Sequence, residues 1–145
     1  MSDQHKALAR RLLDEVFNEG RDETIDELIG DDYVDHGALT GQPPGPDGAR
    51  AMYTVFRNAF PDLRVDMHEM VAERDLVAVR ATFSGTSQGA LMGAQPTGNP
   101  IALTSMLFLR LRDGKIVERW EQADLLGLML QLNIVQQGDS GGEAG

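Results

Sequence analysis

Two separators of two residues each, Arg74-Asp75 and Asp113-Gly114, constrain this chain more than anything else in it. They divide four β-rich runs, LRVDMHEMVAE from LVAVRATFSGT and IALTSMLFLRLR from KIVERWEQAD. Two residues are far too few for a helical crossover, so strands joined this way must pair antiparallel. The middle link, TSQGALMGAQPTGNP, is longer but rich in glycine and proline, which makes it a loop. The second half of the chain is therefore an antiparallel sheet.

The first half follows the other period. Leu8, Leu12 and Val16, with Leu13 and Phe17, form one stripe of a helix over residues 5–19, and Gly20 stands where its C-cap belongs. A shorter helix follows, with Ile25, Leu28 and Ile29 inward, Asp22 as N-cap and Gly30 as stop. Gly37 to Gly48 holds three prolines and four glycines and is expected to lack regular structure. Asp47 is expected to cap a third helix, on which Met52, Val55, Phe56, Ala59 and Phe60 recur at helical spacing until Pro61 ends it. Helices first and hairpins second describe an α+β domain. It spans 1–136 as one unit, and 137–145 is expected to be a disordered tail.

Composition narrows the function. A net charge of −10 with only 13 Lys and Arg, scattered along the chain, offers no basic stripe, so nucleic acid and anionic membrane surfaces are not expected partners. No cysteine is present, which removes disulfides and thiolate chemistry, and the three histidines show no metal-ligand spacing. No window reaches the roughly 18–20 apolar residues of a membrane span, and the N-terminus lacks a signal h-region, so the expected location is cytoplasmic. A neutral or weakly acidic ligand fits better than a highly anionic one.

The last strand carries an unusual face. Alternation sets Ile116, Glu118, Trp120, Gln122 and Asp124 on one side and Val117, Arg119, Glu121 and Ala123 on the other. The second set is one that solvent tolerates, so Trp120 is expected to turn inward and take Glu118, Gln122 and Asp124 with it. Carboxylates on an inner face need water, a cation or a ligand, which makes this face the lining of a pocket. Its neighbours depend on the hairpin. A two-residue Asp113-Gly114 turn pairs Arg112 with Lys115 and sets Ser105, Leu107 and Leu109 beside it; a bulged loop shifts the register by one and brings Thr104, Met106, Phe108 and Arg110 instead. Sequence leaves both open.

Taken in order, DDYVDH (31–36), GPDGARAMYTVFRNAFPDL (45–63), GTSQG (85–89), PTG (96–98) and RLRDGKIVERWEQADLLGLMLQL (110–132) resemble the SnoaL-like polyketide cyclases, within the superfamily named for nuclear transport factor 2 and ketosteroid isomerase. The resemblance implies a cone-shaped α+β barrel, with three N-terminal helices packed on a strongly curved, mainly antiparallel sheet. It also implies a homodimer or homotetramer and a small hydrophobic, polyketide-like carbonyl substrate. The implied reaction is an intramolecular aldol condensation without metal or organic cofactor. The residue matching Asp124 serves there as general acid and base, and His36 matches a pocket position. Trp120 and Phe56 are the expected ligand contacts, with Tyr33, Met106, Gln122 and Arg110 as further lining. The chain departs from many relatives at Ser87 and Ala90, where a histidine and a glutamate are common.

Each of these residues also has a plain structural reading. Asp124 could simply cap the helix LLGLMLQL. Glu118 would pair with Arg80 or Arg110 inside the barrel, His36 would be a partly buried hydrogen-bonding residue, and the aromatic residues would be core. Ser105 has no base near it in sequence, and no GxSxG elbow exists. The rival activities are hydration of an epoxide, which needs an Asp, Arg, Asp set around a water, dehydration, and non-catalytic binding or dimerisation.

Overall fold

The computed structural model describes residues 2–37 and 42–134, so the tail expected at 137–145 lies outside the described residues. Helix α1 (Ser2–Leu13) continues into one π-helical turn, Asp14–Asn18, before the chain breaks at Gly20. The short α2 (Glu23–Leu28) passes directly into β1 (Ile29–Asp35). After α3 (Gly45–Ala59) come β2 (Arg64–Glu73), β3 (Leu76–Thr86), β4 (Pro100–Arg112), β5 (Lys115–Ala123) and a final α4 (Leu125–Gln131).

The five strands form one curled sheet in the order β1-β5-β4-β3-β2. Every pairing is antiparallel except that of β1 with β5, which runs parallel through Ile29–Ile116, Val34–Glu118 and Asp35–Arg119. The expected α+β class with a mainly antiparallel sheet is the one observed. One face of the sheet carries the helices: α1 lies on β2 and β3, α3 on β1, and α4 on β4. The core between them is continuous, from Ala9, Leu13 and Val16 of the first helix to Val77, Val79, Leu107 and Leu109 of the central strands. Among the described residues, no helix is long and apolar enough to cross a membrane.

Several boundaries differ from expectation for identifiable reasons. Ile29 and Gly30 belong to β1 rather than to α2, because the chain turns to extended backbone at Ile29 (φ −91°, ψ 126°). Asp22 makes no capping bond; its carboxylate is held by Arg50 Nε at 3.0 Å. The third helix begins at Gly45 and so takes in the last four residues of the segment expected to be irregular, since proline in the first helical turn costs no hydrogen bond. Asp47 consequently lies within the first turn instead of capping it, and Val55 is exposed rather than inward.

Candidate functional site

The hairpin register decides which side chains face the helices. Asp113 (φ 53°) and Gly114 (φ 76°) form a two-residue turn with both residues left-handed, the conformation that matches the twist of a hairpin, and Arg112 pairs with Lys115. Three residues later the ladder slips. Leu111 pairs with Ile116 but Arg110 pairs with Glu118, so Val117 is an extra residue in β5. Ile116 and Val117 are both buried, and from Glu118 onward the side chains have changed faces. The turn is thus the first alternative that the sequence allowed, and the register beyond the bulge is that of the second.

The consequence corrects the expected pocket. Glu118, Trp120 and Gln122 share a face with Arg110, Phe108 and Met106, and it is the outer one: Met106 is 62% exposed and Phe108 47%. The Trp120 ring stacks on His36 at 4.8 Å and 11°, with the Arg110 guanidinium 5.5 Å from its centre. Glu118 bridges the two, accepting from Arg110 Nε at 2.7 Å and lying 2.9 Å from His36 Nε2, while Arg110 also binds Asp75 at 2.9 Å. The His36 bond first, and then Arg110, hold the Glu118 carboxyl below the usual range. Trp120, Met106, Gln122, Arg110 and His36 therefore line no interior cavity. Glu118 does pair with Arg110, outside the barrel.

The inner face of β5 carries Arg119, Glu121 and Ala123, the set that looked fit for solvent. Arg119 Nη1 donates to Asp35 Oδ2 at 2.8 Å and Nη2 donates to Glu121. Glu121 also accepts from the hydroxyl of Ser105, the residue that sequence left without a base. Asp35 accepts from the Gly37 N–H at 2.9 Å, and its side chain is 0% exposed, against 11% for Arg119 and 17% for Glu121. β1 presents Asp35 because Tyr33 and Asp35 alternate inward while Val34 and His36 face out. Two carboxylates and one guanidinium thus share an enclosed site, each held by hydrogen bonds. Burial is tolerable for ions only on those terms.

Two apolar cavities meet this cluster. One, of about 50 Å3, is walled by Phe17, Met52, Phe56, Phe83, Leu103 and Leu128, and its charged lining is Arg119 and Glu121. The other, of about 40 Å3, is reached by Tyr33, Tyr53 and Leu109 and shares Phe17, Met52, Phe83 and Arg119 with the first. Phe17, set by the π-helical turn, divides them, edge-on to Tyr53 at 5.5 Å and to Phe83 at 5.2 Å. Of the expected contacts, Phe56 and Tyr33 reach these cavities. Burial, and secondarily Asp35, pushes the Tyr33 hydroxyl well above its usual range, so it stays protonated.

Asp124 stands apart. Its N–H donates to Thr104 O at 2.9 Å, and its Oδ1 accepts from the Gly127 N–H at 2.9 Å, so it caps α4. A Cβ on residue 127 would lie 2.2 Å from Asp124 Oδ2, so only glycine admits the carboxylate there. Its side chain is exposed and lines neither cavity, and Leu125 and Leu126 beside it are exposed too, so the inward position expected for it is not the one observed. At the departure from common relatives, buried Ser87 holds the 87–99 loop, its Oγ accepting from the Thr97 N–H at 3.0 Å, and Ala90 is exposed. Among the described residues, no cluster of His, Asp and Glu could hold a metal ion.

The profile of the SnoaL-like polyketide cyclase family matches residues 7–132. The chain belongs to that family. It is 31% identical over 129 residues to the aklanonic acid methyl ester cyclase DnrD of Streptomyces peucetius, covering 86% of this chain and 88% of the relative. To the nogalonic acid methyl ester cyclase of Streptomyces nogalater it is 27% identical, covering 87% and 96%. Among solved structures, wild-type IdmH of Streptomyces antibioticus is 33% identical, with a TM-score of 0.78 and coverage of 90% and 99%. TsrD of Streptomyces laurentii superposes with a TM-score of 0.83 at 26% identity, covering 92% and 97%. By these relatives the chain is a SnoaL-like cyclase enzyme.

Arg119 and Glu121 are the chamber-lining residues that strict alternation along the last strand concealed. One signal pointed to them: Ile116-Val117 is an adjacent apolar pair in a strand otherwise alternating with polar residues, and such a pair marks a bulge.

Proposed function

We propose that this enzyme closes a ring in a small, largely apolar, polyketide-like carbonyl compound by intramolecular aldol condensation, with Asp124 as acid and base and without metal or organic cofactor. The observation that carries this reading is the placement of α4. Leu128 lines the first cavity, and Asp124 caps the same helix one turn earlier, exposed and outside that lining, so a substrate would have to extend beyond the cavity to meet it. Oδ1 is committed to the Gly127 N–H, which leaves Oδ2 for a substrate carbon. A substrate seated there would cover the carboxylate and exclude water from it. Cavities of about 50 and 40 Å3 are far smaller than the roughly 300–1,000 Å3 of ordinary ligand sites, so a fused-ring substrate enters only when Phe56, Met52 or α4 moves.

Asp124→Asn tests the assignment cleanly, because asparagine caps a helix as well as aspartate does. Given aklanonic acid methyl ester, the compound from which two relatives take their names, the variant should bind normally and turn over about 10²- to 10⁴-fold more slowly. Turnover equal to the parent would end the Asp124 role, and no turnover by either would point to another substrate or to a binding module.

One observation favours a second reading. Asp35, Arg119 and Glu121 form a carboxylate, guanidinium, carboxylate set of the kind that water addition to an epoxide requires. Incorporation of labelled water oxygen into product separates the two, since an aldol closure adds none. Pairing into homo-oligomers through the outer sheet face is part of the proposal, supported by exposed Val71, Met106 and Phe108 along a groove there.

A further inference from the structure

We propose that α4 is a lid on the apolar chamber, hinged at Asp124 and latched at its far end by the amide of Gln131, and that release of the latch admits the substrate. The inference rests on the chamber being the ligand site and is independent of the reaction carried out there.

The latch follows from unequal strand lengths. β4 starts at Pro100, but Ala123, the last residue of β5, pairs with Ser105, so residues 100–104 have β3 on one side and no strand on the other. Backbone groups left there need partners, and α4 brings them. The Asp124 N–H donates to Thr104 O at 2.9 Å. The Gln131 amide closes a pair with Ala102: its Oε1 accepts from the N–H at 2.8 Å and its Nε2 donates to the C=O at 2.9 Å. A side chain thus continues the ladder past the point where β5 ends. The two attachments differ in kind. That of Asp124 belongs to the backbone leaving β5 and stays with the strand. That of Gln131 depends on a flexible side chain at an exposed position, where water replaces either bond at little net cost.

The other walls of the chamber are tied down. Phe83, Leu103 and Glu121 stand on paired strands, and the π-helical turn that sets Phe17 is bonded to Arg57. α3, which carries Met52 and Phe56, is held by Arg50 to Asp22 and Asp26, and at its end Ala59 O accepts from the N–H groups of Gln88 and Gly89. α4, with the sequence LLGLMLQ, has no charged residue to form an ion pair and packs chiefly on β4. Its Leu125 and Leu126 are exposed, so their apolar surface does not hold it in place. Leu128, 1% exposed, is its part of the chamber wall, and Leu132 just beyond it is buried too, which makes the closed lid the resting state. Closed, the chamber of about 50 Å3 is several times smaller than a ligand site of roughly 300 Å3 or more. Swinging α4 outward about Asp124 withdraws Leu128 and opens that wall while every strand pairing stays intact.

The chain has no cysteine, so one introduced thiol reports the opening directly. Leu128→Cys places it on the lid's inner face, and monobromobimane, a flat two-ring thiol reagent, reaches it only when a molecule of that shape can enter. Adding Gln131→Ala should speed labelling about tenfold or more, as the loss of two hydrogen bonds implies. Val77→Cys, in a fully buried position outside both cavities, should label at the same slow rate with and without Gln131→Ala. Equal labelling of Leu128→Cys in the two backgrounds overturns the latch. Equal acceleration at both cysteines, which is general loosening, overturns it as well, and so does labelling of Leu128→Cys alone at the rate of an exposed thiol. If the double variant does not fold, hydrogen exchange on Gln131→Ala by itself decides. Amides of residues 125–131 should exchange about tenfold faster than in the parent while those of β3 are unchanged, and an unchanged α4 rate overturns the proposal. Neither readout involves turnover, so either result stands whatever reaction the chamber performs.

Discussion

Trp120 shows how much one backbone residue can decide. Its ring lies on the outer face between His36 and Arg110, where it contributes stacking and a cation–π contact worth about 0.5–1 kcal/mol at an exposed site. Trp120→Phe should therefore leave ring closure within about twofold of the parent while lowering stability slightly, as steady-state kinetics and urea unfolding would measure. A loss of turnover beyond tenfold with the fold intact would return Trp120 to the substrate site. Arg119 is the opposite case: a residue whose charge suggested solvent, held inside because Asp35 and Glu121 satisfy it from two sides.

At the scale of elements, the π-helical turn and the β5 bulge are the two irregularities that build the chamber. The turn is fixed by Asn18, whose amide behaves as a strand would toward the start of β2: Oδ1 accepts from the Val65 N–H at 2.8 Å and Nδ2 donates to Val65 O at 3.0 Å. Arg57 of α3 secures the turn's last carbonyls, donating to Phe17 O at 2.8 Å. Asn18→Ala should cost about 1–3 kcal/mol in denaturant unfolding, since Val65 is left without its partners beneath the helix. It should also raise KM, because Phe17 loses its fixed place between the cavities. An unchanged midpoint would mean that the turn is held by packing alone.

For the whole molecule, paired carboxylates set the response to acid. Glu15 is held low chiefly by the Thr24 hydroxyl, Asp62 by the Thr86 N–H and hydroxyl, Glu69 by Arg80, Asp75 by Arg110, and Glu118 by His36 and Arg110. Each has a folded value below its ordinary one of 3.8 or 4.5. Their stabilisation is therefore present in full above the ordinary carboxylate range and is lost as pH falls through the lowered values. Asp62 and Glu69 are exposed and Glu15, Asp75 and Glu118 lie half-buried at the surface, where water screens them, so each contributes little. Calorimetry should show a melting temperature that is nearly flat from about pH 7 to about pH 5 and that declines below it; a flat profile to about pH 3 would contradict the pairing. The outer face carries a separate expectation. Phe108→Glu combined with Met106→Glu should convert an oligomer into monomers in sedimentation without unfolding it, and an unchanged mass would place any interface elsewhere.

Local sequence determined the α+β class, the antiparallel order of β2 to β5 and the apolar stripes of the helices, because periodicity and two-residue turns act between near neighbours. The likeness of DDYVDH and RWEQADLLGLMLQL to a cyclase family determined the kinship. What only the tertiary structure decided was the face of β5 that looks inward. Val117 adds one residue to a strand whose side chains alternate with a period of two, and that single step exchanges Trp120 for Glu121 at the chamber wall. Whether an arginine may stand in such a wall depends on Asp35, 84 positions away in the chain, which comes beside it only when β1 runs parallel to β5.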